Sequence, residues 1–206
     1  MTADAGTTAN WYGRIIKMRP GMMGSLSGGL ATMGAAVPYA IAAKFAHPNR
    51  IPICCTGDGA MQMNGMNELL TVVKYWQTWS DPRLIFLVLN NRDLNQVTWG
   101  MRSEEGNPKL ETRQNLPDFP YARFADSIGL KGIQVDRPED VGQAWGEALA
   151  ADRLVVFEAY ISGNAPTLPP HISFEQAKEL TSALVKGDPE EGGIIKQSVK
   201  ELLCTS

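Results

Sequence analysis

Two runs of consecutive apolar residues predict strands at 51–56 and 84–89. Each run has the length and composition of a strand that is buried on both faces of a parallel sheet. Between them, from 65 to 76, apolar residues recur at the spacing of one helix face. A strand, a helix and a second strand form a unit that crosses over right-handedly, so the two strands should be parallel.

Segments on both sides of this unit continue the alternation of strands and helices. Residues 25–46 begin with glycine and serine and become rich in alanine, which predicts a helix that packs closely on a neighbour. Turn residues and short apolar runs predict four more elements, namely a helix at 121–128, a strand at 132–135, a helix at 138–151 and a strand at 154–160. The pattern indicates an α/β fold with a doubly wound, mostly parallel sheet flanked by helices.

Two stretches depart from this pattern. Residues 92–116 are polar and contain scattered glycine and proline, which predicts an irregular loop over the edge of the sheet. Beyond residue 160 the sequence predicts a linker at 164–170, an amphipathic helix at 174–185 and a weak helix at 194–203. We therefore predict a domain at 1–160, followed by a linker and helical tail at 161–206.

The composition of the 206 residues fits this organisation and excludes several functions. A net charge of −3 without a basic cluster excludes a nucleic-acid-binding surface. No apolar stretch is long enough for a transmembrane segment. The odd number of cysteines, two of them adjacent in a predicted strand, favours buried or free thiols over a disulfide, so we expect a cytoplasmic location.

Polar residues follow both central strands. Gly57, Asp58 and Gly59 come directly after the first strand, and Asn90 and Asn91 follow the second. Open parallel sheets bind their ligands at the carboxyl ends of the strands. The glycines let backbone N–H groups approach a phosphate, and the carboxylate and amide oxygens suit Mg²⁺ or Ca²⁺. These residues therefore predict a site for a metal ion and a diphosphate.

The order Gly57-Asp58-Gly59, then Asn90-Asn91, resembles the diphosphate-binding signature of thiamine diphosphate enzymes. The stretches 24–44 and 63–75 are similar to the segments around that signature, in particular those of pyruvate oxidase and acetolactate synthase. The resemblance covers roughly 4–160 and implies the C-terminal pyrophosphate-binding domain of such an enzyme.

The resemblance also implies how each part of the cofactor would be bound. Asp58 and Asn91 would bind Mg²⁺ through their side chains and Asp93 through its backbone carbonyl. The diphosphate would be bound by the signature turn and by a short N-terminal loop, with Gly57, Gly59 and Ala60 in the first and Gly6, Thr7 and Thr8 in the second. Met33 would hold the cofactor in a bent form, Ala31 would offer a carbonyl to the aminopyrimidine, and Val97 would face the thiazolium ring. Core packing is the alternative for Met33 taken alone, although a bulky unbranched side chain suits the supporting role.

No catalytic residue is expected in this chain itself. In the resembling enzymes, the activating glutamate belongs to a pyrimidine-binding domain, normally N-terminal in the same polypeptide and supplied by the partner subunit. The resemblance therefore implies a half-site that needs a pyrimidine-binding domain or subunit, within a homo- or hetero-oligomer. The substrate would be a 2-oxo acid such as pyruvate, and FAD would enter through a domain outside this chain.

Three interpretations stay open at this point. The chain belongs to an oxidase- or synthase-type enzyme that decarboxylates a 2-oxo acid, or it is the diphosphate-binding subunit of a split decarboxylase. The third interpretation is an inactive remnant that binds the cofactor or scaffolds an oligomer. The interval between Asp58 and Asn91 is longer than usual for the family, and the extra length coincides with the predicted loop at 77–81, where an insertion costs little.

Overall fold

A computed structural model describes residues 1–167 and 173–204, and it describes side chains as far as residue 200. Part of the predicted linker, 168–170, lies outside the described residues. The strands are β1 Thr2–Ala3, β2 Ser25–Leu26, β3 Ile53–Gly57, β4 Ile85–Asn90, β5 Lys131–Val135 and β6 Val155–Tyr160. The α-helices are α1 Thr7–Ile15, α2 Ala36–Ala46, α3 Asp58–Ala60, α4 Met66–Tyr75, α5 Asn95–Glu104, α6 Glu111–Gln114, α7 Tyr121–Ser127, α8 Val141–Ala150, α9 Phe174–Val185 and α10 Glu191–Cys204. A π-helical segment, Met61–Gly65, joins α3 to α4, and 3₁₀ turns lie at Trp76–Thr78 and Pro138–Asp140.

The chain forms two compact units. The first combines Met1–Asn91 with Pro117–Ile161, and the second combines Arg92–Leu116 with the residues from Ser162 onward. Both units are therefore discontinuous in sequence. The division into a domain at 1–160 and a tail at 161–206 stays a prediction.

The first unit is built on a six-stranded sheet in the order β2-β1-β3-β4-β6-β5, with every described pairing parallel. This confirms the predicted α/β class. In β4, Phe86 and Val88 point into the apolar cluster that α2, α4 and α7 cover, whereas Ile85 belongs to the cluster beneath α8. The alternation follows from the two-residue period of a strand. Apolar burial on both faces is the main stabilising contribution, about 1.5–3 kcal/mol for each large side chain.

The prediction of one helix over 25–46 was wrong in its first half. Ser25–Leu26 pairs with β1, and α2 begins only at Ala36. Between them the backbone adopts positive φ at Gly29, Ala31 and Gly34, which no right-handed helix accommodates. The helix predicted from residue 65 begins earlier, because the helical run starts at Asp58.

The second unit corrects the prediction of an irregular loop at 92–116. Residues 95–104 form α5, whose buried face carries Asn95, Thr98, Trp99 and Arg102 at the spacing of a helix. Most of these side chains are polar, so apolar periodicity does not reveal the helix. The helix predicted at 174–185 is confirmed as α9, which contacts α5 within this unit.

A cluster of buried ionic side chains joins distant parts of the second unit. Arg102 Nε lies 2.8 Å from Asp188 Oδ2, and Arg102 Nη2 lies 2.9 Å from Glu190 Oε2. Lys109 Nζ lies 2.7 Å from Glu190 Oε1 and 3.2 Å from Asp93 Oδ1. Burial opposes ionisation of Asp188, but the hydrogen bonds from Arg102 and from backbone amides hold its pKa below the usual value. The charges are thus paired inside the unit.

None of the helices in the described part of the chain combines the length and apolar character needed to cross a membrane.

Candidate functional site

Asp58 lies at the carboxyl end of β3, directly beside the end of β4. Its side chain is buried, with the residue only 4% exposed. Oδ1 accepts a hydrogen bond from Gly59 N at 2.8 Å, and Oδ2 accepts one from Asn91 N at 3.0 Å. Because β3 and β4 are paired in register, one carboxylate can connect the ends of both strands. The structure therefore brings Asp58 and Asn91 together at the edge where the sequence predicts them.

Two helices begin at glycines beside this carboxylate. Gly57 precedes α3 and Gly6 precedes α1, and neither start has a side-chain cap. Thr7 and Thr8 are thus the first residues of α1, which corrects the prediction of a loop there. A Cβ added to Gly57 would lie 3.4 Å from Thr8 Oγ1, so the two turns are neighbours. First-turn N–H groups without intrahelical partners are suited to bind an anion.

Met33 lies next to the same N-terminal turn and is half-buried. A Cβ added to Gly6 would lie 3.8 Å from Met33 Cε. Asn64 Nδ2 donates a hydrogen bond to Met33 O at 3.0 Å. Ala31 is exposed and has a φ of 55°, with its N–H bonded to Gly28 O at 3.2 Å. The structure thus brings the segments carrying residues 6–8, 33 and 57–60 together within the first unit.

Asp93 and Val97 belong to the second unit. The Asp93 carboxylate accepts hydrogen bonds from Thr98 Oγ1 at 2.9 Å and Asn95 Nδ2 at 3.0 Å, in addition to its contact with Lys109. The side chain of Asp93 therefore has a structural role inside this unit. Val97 lies on α5 and is about half exposed. The roles predicted for both residues stay predictions.

Several polar residues around Asp58 were missed by sequence reasoning. Tyr121 Oη donates a hydrogen bond to Asp58 O at 3.1 Å and accepts one from Gln62 Nε2 at 2.9 Å. Burial raises the pKa of the Tyr121 hydroxyl, which keeps it a neutral donor. No motif marks these residues, because their proximity depends on how α3 and α7 pack.

Glu158 is another missed residue, and it is fully buried. Oε1 accepts a hydrogen bond from Asn90 Nδ2 at 2.8 Å, and Oε2 accepts one from Ala122 N at 3.1 Å. The pair connects the ends of β4 and β6 just before Asn91. The sequence does mark Glu158 in one way, since it is the single acid in the apolar run at 154–160. A carboxylate buried in such a strand needs hydrogen-bond partners.

The donor set suits a hard cation more than a soft one. In the described residues no group of three or more His, Cys, Asp and Glu side chains could hold a metal ion. Cys54 and Cys55 are buried free thiols, as predicted, and burial raises the pKa of Cys55 to about 11. Mg²⁺ needs only one or two carboxylates when phosphate oxygens and water complete its coordination. Asp58 with an amide neighbour fits that pattern.

A cavity of about 450 Å³ lies at the opposite end of the strands. It is lined mainly by apolar side chains, and its polar residues include His47 and Arg50. Residues 51–53 at the amino end of β3 form one wall, whereas Asp58 follows the carboxyl end. This cavity is therefore separate from the candidate site.

Comparison with known proteins identifies the family. Residues 4–159 match the family model of the thiamine pyrophosphate enzyme C-terminal TPP-binding domain, TPP being another name for thiamine diphosphate. The chain belongs to the thiamine pyrophosphate enzymes. The resemblance stated from Asp58 and Asn91 is thereby confirmed. The match ends one residue before the end of β6, so it covers the described sheet except the two-residue strand β1 and the last residue of β6.

Curated relatives of this thiamine pyrophosphate enzyme domain point in the same direction. The chain is 36% identical over 206 residues to the "Putative thiamine pyrophosphate-containing protein YdaP" of Bacillus subtilis (strain 168), covering 98% of this chain and 34% of that protein. It is 35% identical over 150 residues to the acetolactate synthase isozyme 3 large subunit of Escherichia coli (strain K12), covering 71% of this chain and 25% of that subunit. The chain thus spans about a third or less of the length of these relatives.

Proposed function

We propose that this chain binds thiamine diphosphate and Mg²⁺ as the diphosphate half-site of an enzyme that decarboxylates a 2-oxo acid. The observation that carries the proposal is the buried Asp58 carboxylate, fixed between the ends of β3 and β4 beside two uncapped helix starts. The similarity to acetolactate synthase large subunits supports a pyruvate-like substrate and an oxidase or synthase type of reaction.

Asp58 and Asn91 are the proposed side-chain ligands of the metal ion. The two backbone hydrogen bonds that Asp58 accepts fix its orientation, so little ordering would be needed when the ion binds. Asp93 would add its backbone carbonyl, a role taken from the family resemblance. Phosphate oxygens and water would complete an octahedral set.

The diphosphate would bind at the glycine-preceded helix starts. Gly59 and Ala60 follow Asp58 in the first turn of a continuous helical run, and Thr7 and Thr8 open α1. Gly6 and Gly57 have no side chain that could compete with the ligand for the first-turn N–H groups. The partial positive charge of each helix start would then favour the diphosphate over water.

The organic part of the cofactor would lie against Met33, with the carbonyl of Ala31 on the aminopyrimidine and Val97 facing the thiazolium ring. When bound, thiamine diphosphate supplies the electron sink for decarboxylation, which no side chain can provide. In this proposal the chain itself binds, orients and supports the cofactor.

Activation would come from a glutamate of a pyrimidine-binding domain or subunit, in a cytoplasmic oligomer. Exposed apolar side chains on the segment before α2 favour a protein surface against it, since Leu30 is fully exposed and Leu26 is 43% exposed. FAD would enter only through a further domain, as in an oxidase-type enzyme.

Calorimetry with thiamine diphosphate and Mg²⁺, with and without an added pyrimidine-binding domain, tests this proposal. We expect Mg²⁺-dependent binding that Asp58→Ala abolishes, because the substitution removes the fixed metal ligand. Asp136→Ala, at an exposed position, is the matched control and should bind like the unaltered chain. Absence of binding under both conditions would refute the cofactor proposal. Binding without pyruvate turnover, even with the added domain, would favour the inactive remnant.

A further inference from the structure

Asp4 is a fully buried carboxylate at the end of β1, one residue beyond the strand. Oδ1 accepts hydrogen bonds from Gly34 N at 2.8 Å and Ala5 N at 3.0 Å. Oδ2 accepts one from Thr56 Oγ1 at 3.0 Å. A single side chain thus connects the segment before Gly6, the segment after Met33 and the end of β3.

A charged carboxylate in this buried place costs free energy unless hydrogen bonds stabilise it. Burial raises the pKa of Asp4, and the hydrogen bonds from Thr56 and from backbone amides act in the opposite direction. The hydrogen bonds described above come from backbone N–H groups and a threonine hydroxyl, which stabilise the buried carboxylate. These donors all belong to segments that border the candidate cofactor site.

Asn64 holds the other side of Met33. Its amide group donates to Met33 O at 3.0 Å, while Asp4 accepts from the N–H of the next residue, Gly34. Gly34 has a φ of 85°, and a Cβ added to it would lie 2.5 Å from Asn64 Cβ. The backbone carrying Met33 is therefore packed tightly against the π-helical segment that contains Asn64.

We propose that Asp4 and Asn64 are positioning residues that fix the backbone around Met33 and thereby set its side chain against Gly6. The proposal rests on the proposed function, since it assigns Met33 to the organic part of thiamine diphosphate. The two residues do not touch the cofactor in this scheme. They determine the shape of the surface on which its ring system lies, and they leave the diphosphate contacts at Asp58 unchanged.

The test compares two ligands, each with Mg²⁺, by calorimetry on the full chain with the pyrimidine-binding domain present. Thiamine diphosphate would contact both the diphosphate site at Asp58 and the surface at Met33, whereas inorganic pyrophosphate would contact the diphosphate site alone. In Asp4→Ala and Asn64→Ala we expect affinity for thiamine diphosphate to fall about tenfold, because the backbone around Met33 loses hydrogen bonds that fix it. Affinity for pyrophosphate should stay within about twofold of that of the unaltered chain, since the diphosphate site at Asp58 is intact.

Asp4→Asn is the matched variant that should restore binding. Its carbonyl oxygen can accept from Gly34 N and Ala5 N, and its amide can donate to Thr56 Oγ1, whose hydroxyl already lies 3.3 Å from Gly57 O. Hydrogen exchange of peptides containing the Gly34 amide gives a readout without any ligand. That amide should exchange faster in Asp4→Ala and at the original rate in Asp4→Asn.

Each outcome decides between the two proposals. If both ligands lose affinity equally, or if Asp4→Asn is no better than Asp4→Ala, the positioning role is overturned. Should Asp4→Ala not fold, the test rests on Asn64→Ala. Asn64 is exposed, and its substitution leaves the hydrogen bonds of the buried Asp4 carboxylate in place. Failure of the unaltered chain to bind either ligand would refute the proposed function itself.

Discussion

The two compact units are stabilised by different kinds of buried side chain. In the first unit, fully buried apolar residues such as Leu69 and Phe86 cover a parallel sheet. In the second unit, a fully buried Arg102 is paired with Asp188 and Glu190. Apolar contacts are non-directional, whereas a buried ion pair depends on geometry and on every partner being present. Removing one member of the ion cluster should therefore destabilise the second unit more than removing one apolar side chain destabilises the first.

Arg102→Ala should have the largest effect. It leaves the fully buried Asp188 side chain without its guanidinium partner, and breaking such a pair costs about 3–5 kcal/mol. Glu190, which is partly exposed, loses the same partner but keeps its contact with Lys109. We expect this loss of stability in urea unfolding, with hydrogen exchange accelerated first in peptides of α5 and α9. Arg123→Ala removes an exposed arginine and is the control. A loss below about 1 kcal/mol would show that the ion cluster does not hold the second unit together.

Leu69→Ala should destabilise the first unit by about 3 kcal/mol, through lost burial and the cavity left behind. The next residue provides the control, because Leu70 lies on the same helix but is 59% exposed. Leu70→Ala should change the free energy of unfolding by less than about 0.5 kcal/mol. Equal effects of the two substitutions would contradict the observed orientation of α4.

The same contrast explains what could be predicted about the fold. The strands at 51–56 and 84–89 could be read because their apolar runs reflect burial on both faces. Helix α5 could not, because Arg102 takes a core position and its partners lie more than eighty residues away in the chain. Strands β1 and β2 are two residues long, too short for any periodicity.

The residues of the candidate site also differ in how far the sequence predicts them. Asp58 and Asn91 follow strands directly, so the position of the strands fixes where they lie. Asp4 and Asn64 act through contacts across the fold with backbone groups, which every residue possesses. The family resemblance led to Met33, but the residues that hold its backbone became visible only in three dimensions.

Acid should weaken the second unit before the first. The pKa values of Asp188 and Glu190 are held below their usual values, despite burial, by Arg102 and Lys109. Their stabilising contribution is therefore present above about pH 4 and is lost as the pH falls through the lowered values. Asp4 behaves in the opposite way: its pKa is raised by burial, so its contribution is lost as the pH rises through that value.

Hydrogen exchange between pH 5 and pH 3, compared peptide by peptide, measures this difference. Protection of α5 should fall over that interval, while protection around Gly34 should hold or increase. Asp4→Asn serves as the control, because it removes the titrating group and should flatten the response around Gly34. The reverse order, with the peptides around Gly34 losing protection first, would contradict the signs derived for these carboxylates.

The smallest effect is expected where ions pair in solvent. Lys131 Nζ lies 2.7 Å from Glu147 Oε1, closer than any contact of Arg102, yet both side chains are more than 40% exposed. Solvent screening and the ordering of two long side chains limit such a pair to about 0–0.5 kcal/mol. A double-mutant cycle with Lys131→Ala and Glu147→Ala measures the coupling, and 0.5 M salt should reduce it further. If this coupling equalled that of Arg102 with Asp188, proximity alone would set the strength of ion pairs in this protein, and burial would not distinguish its two units.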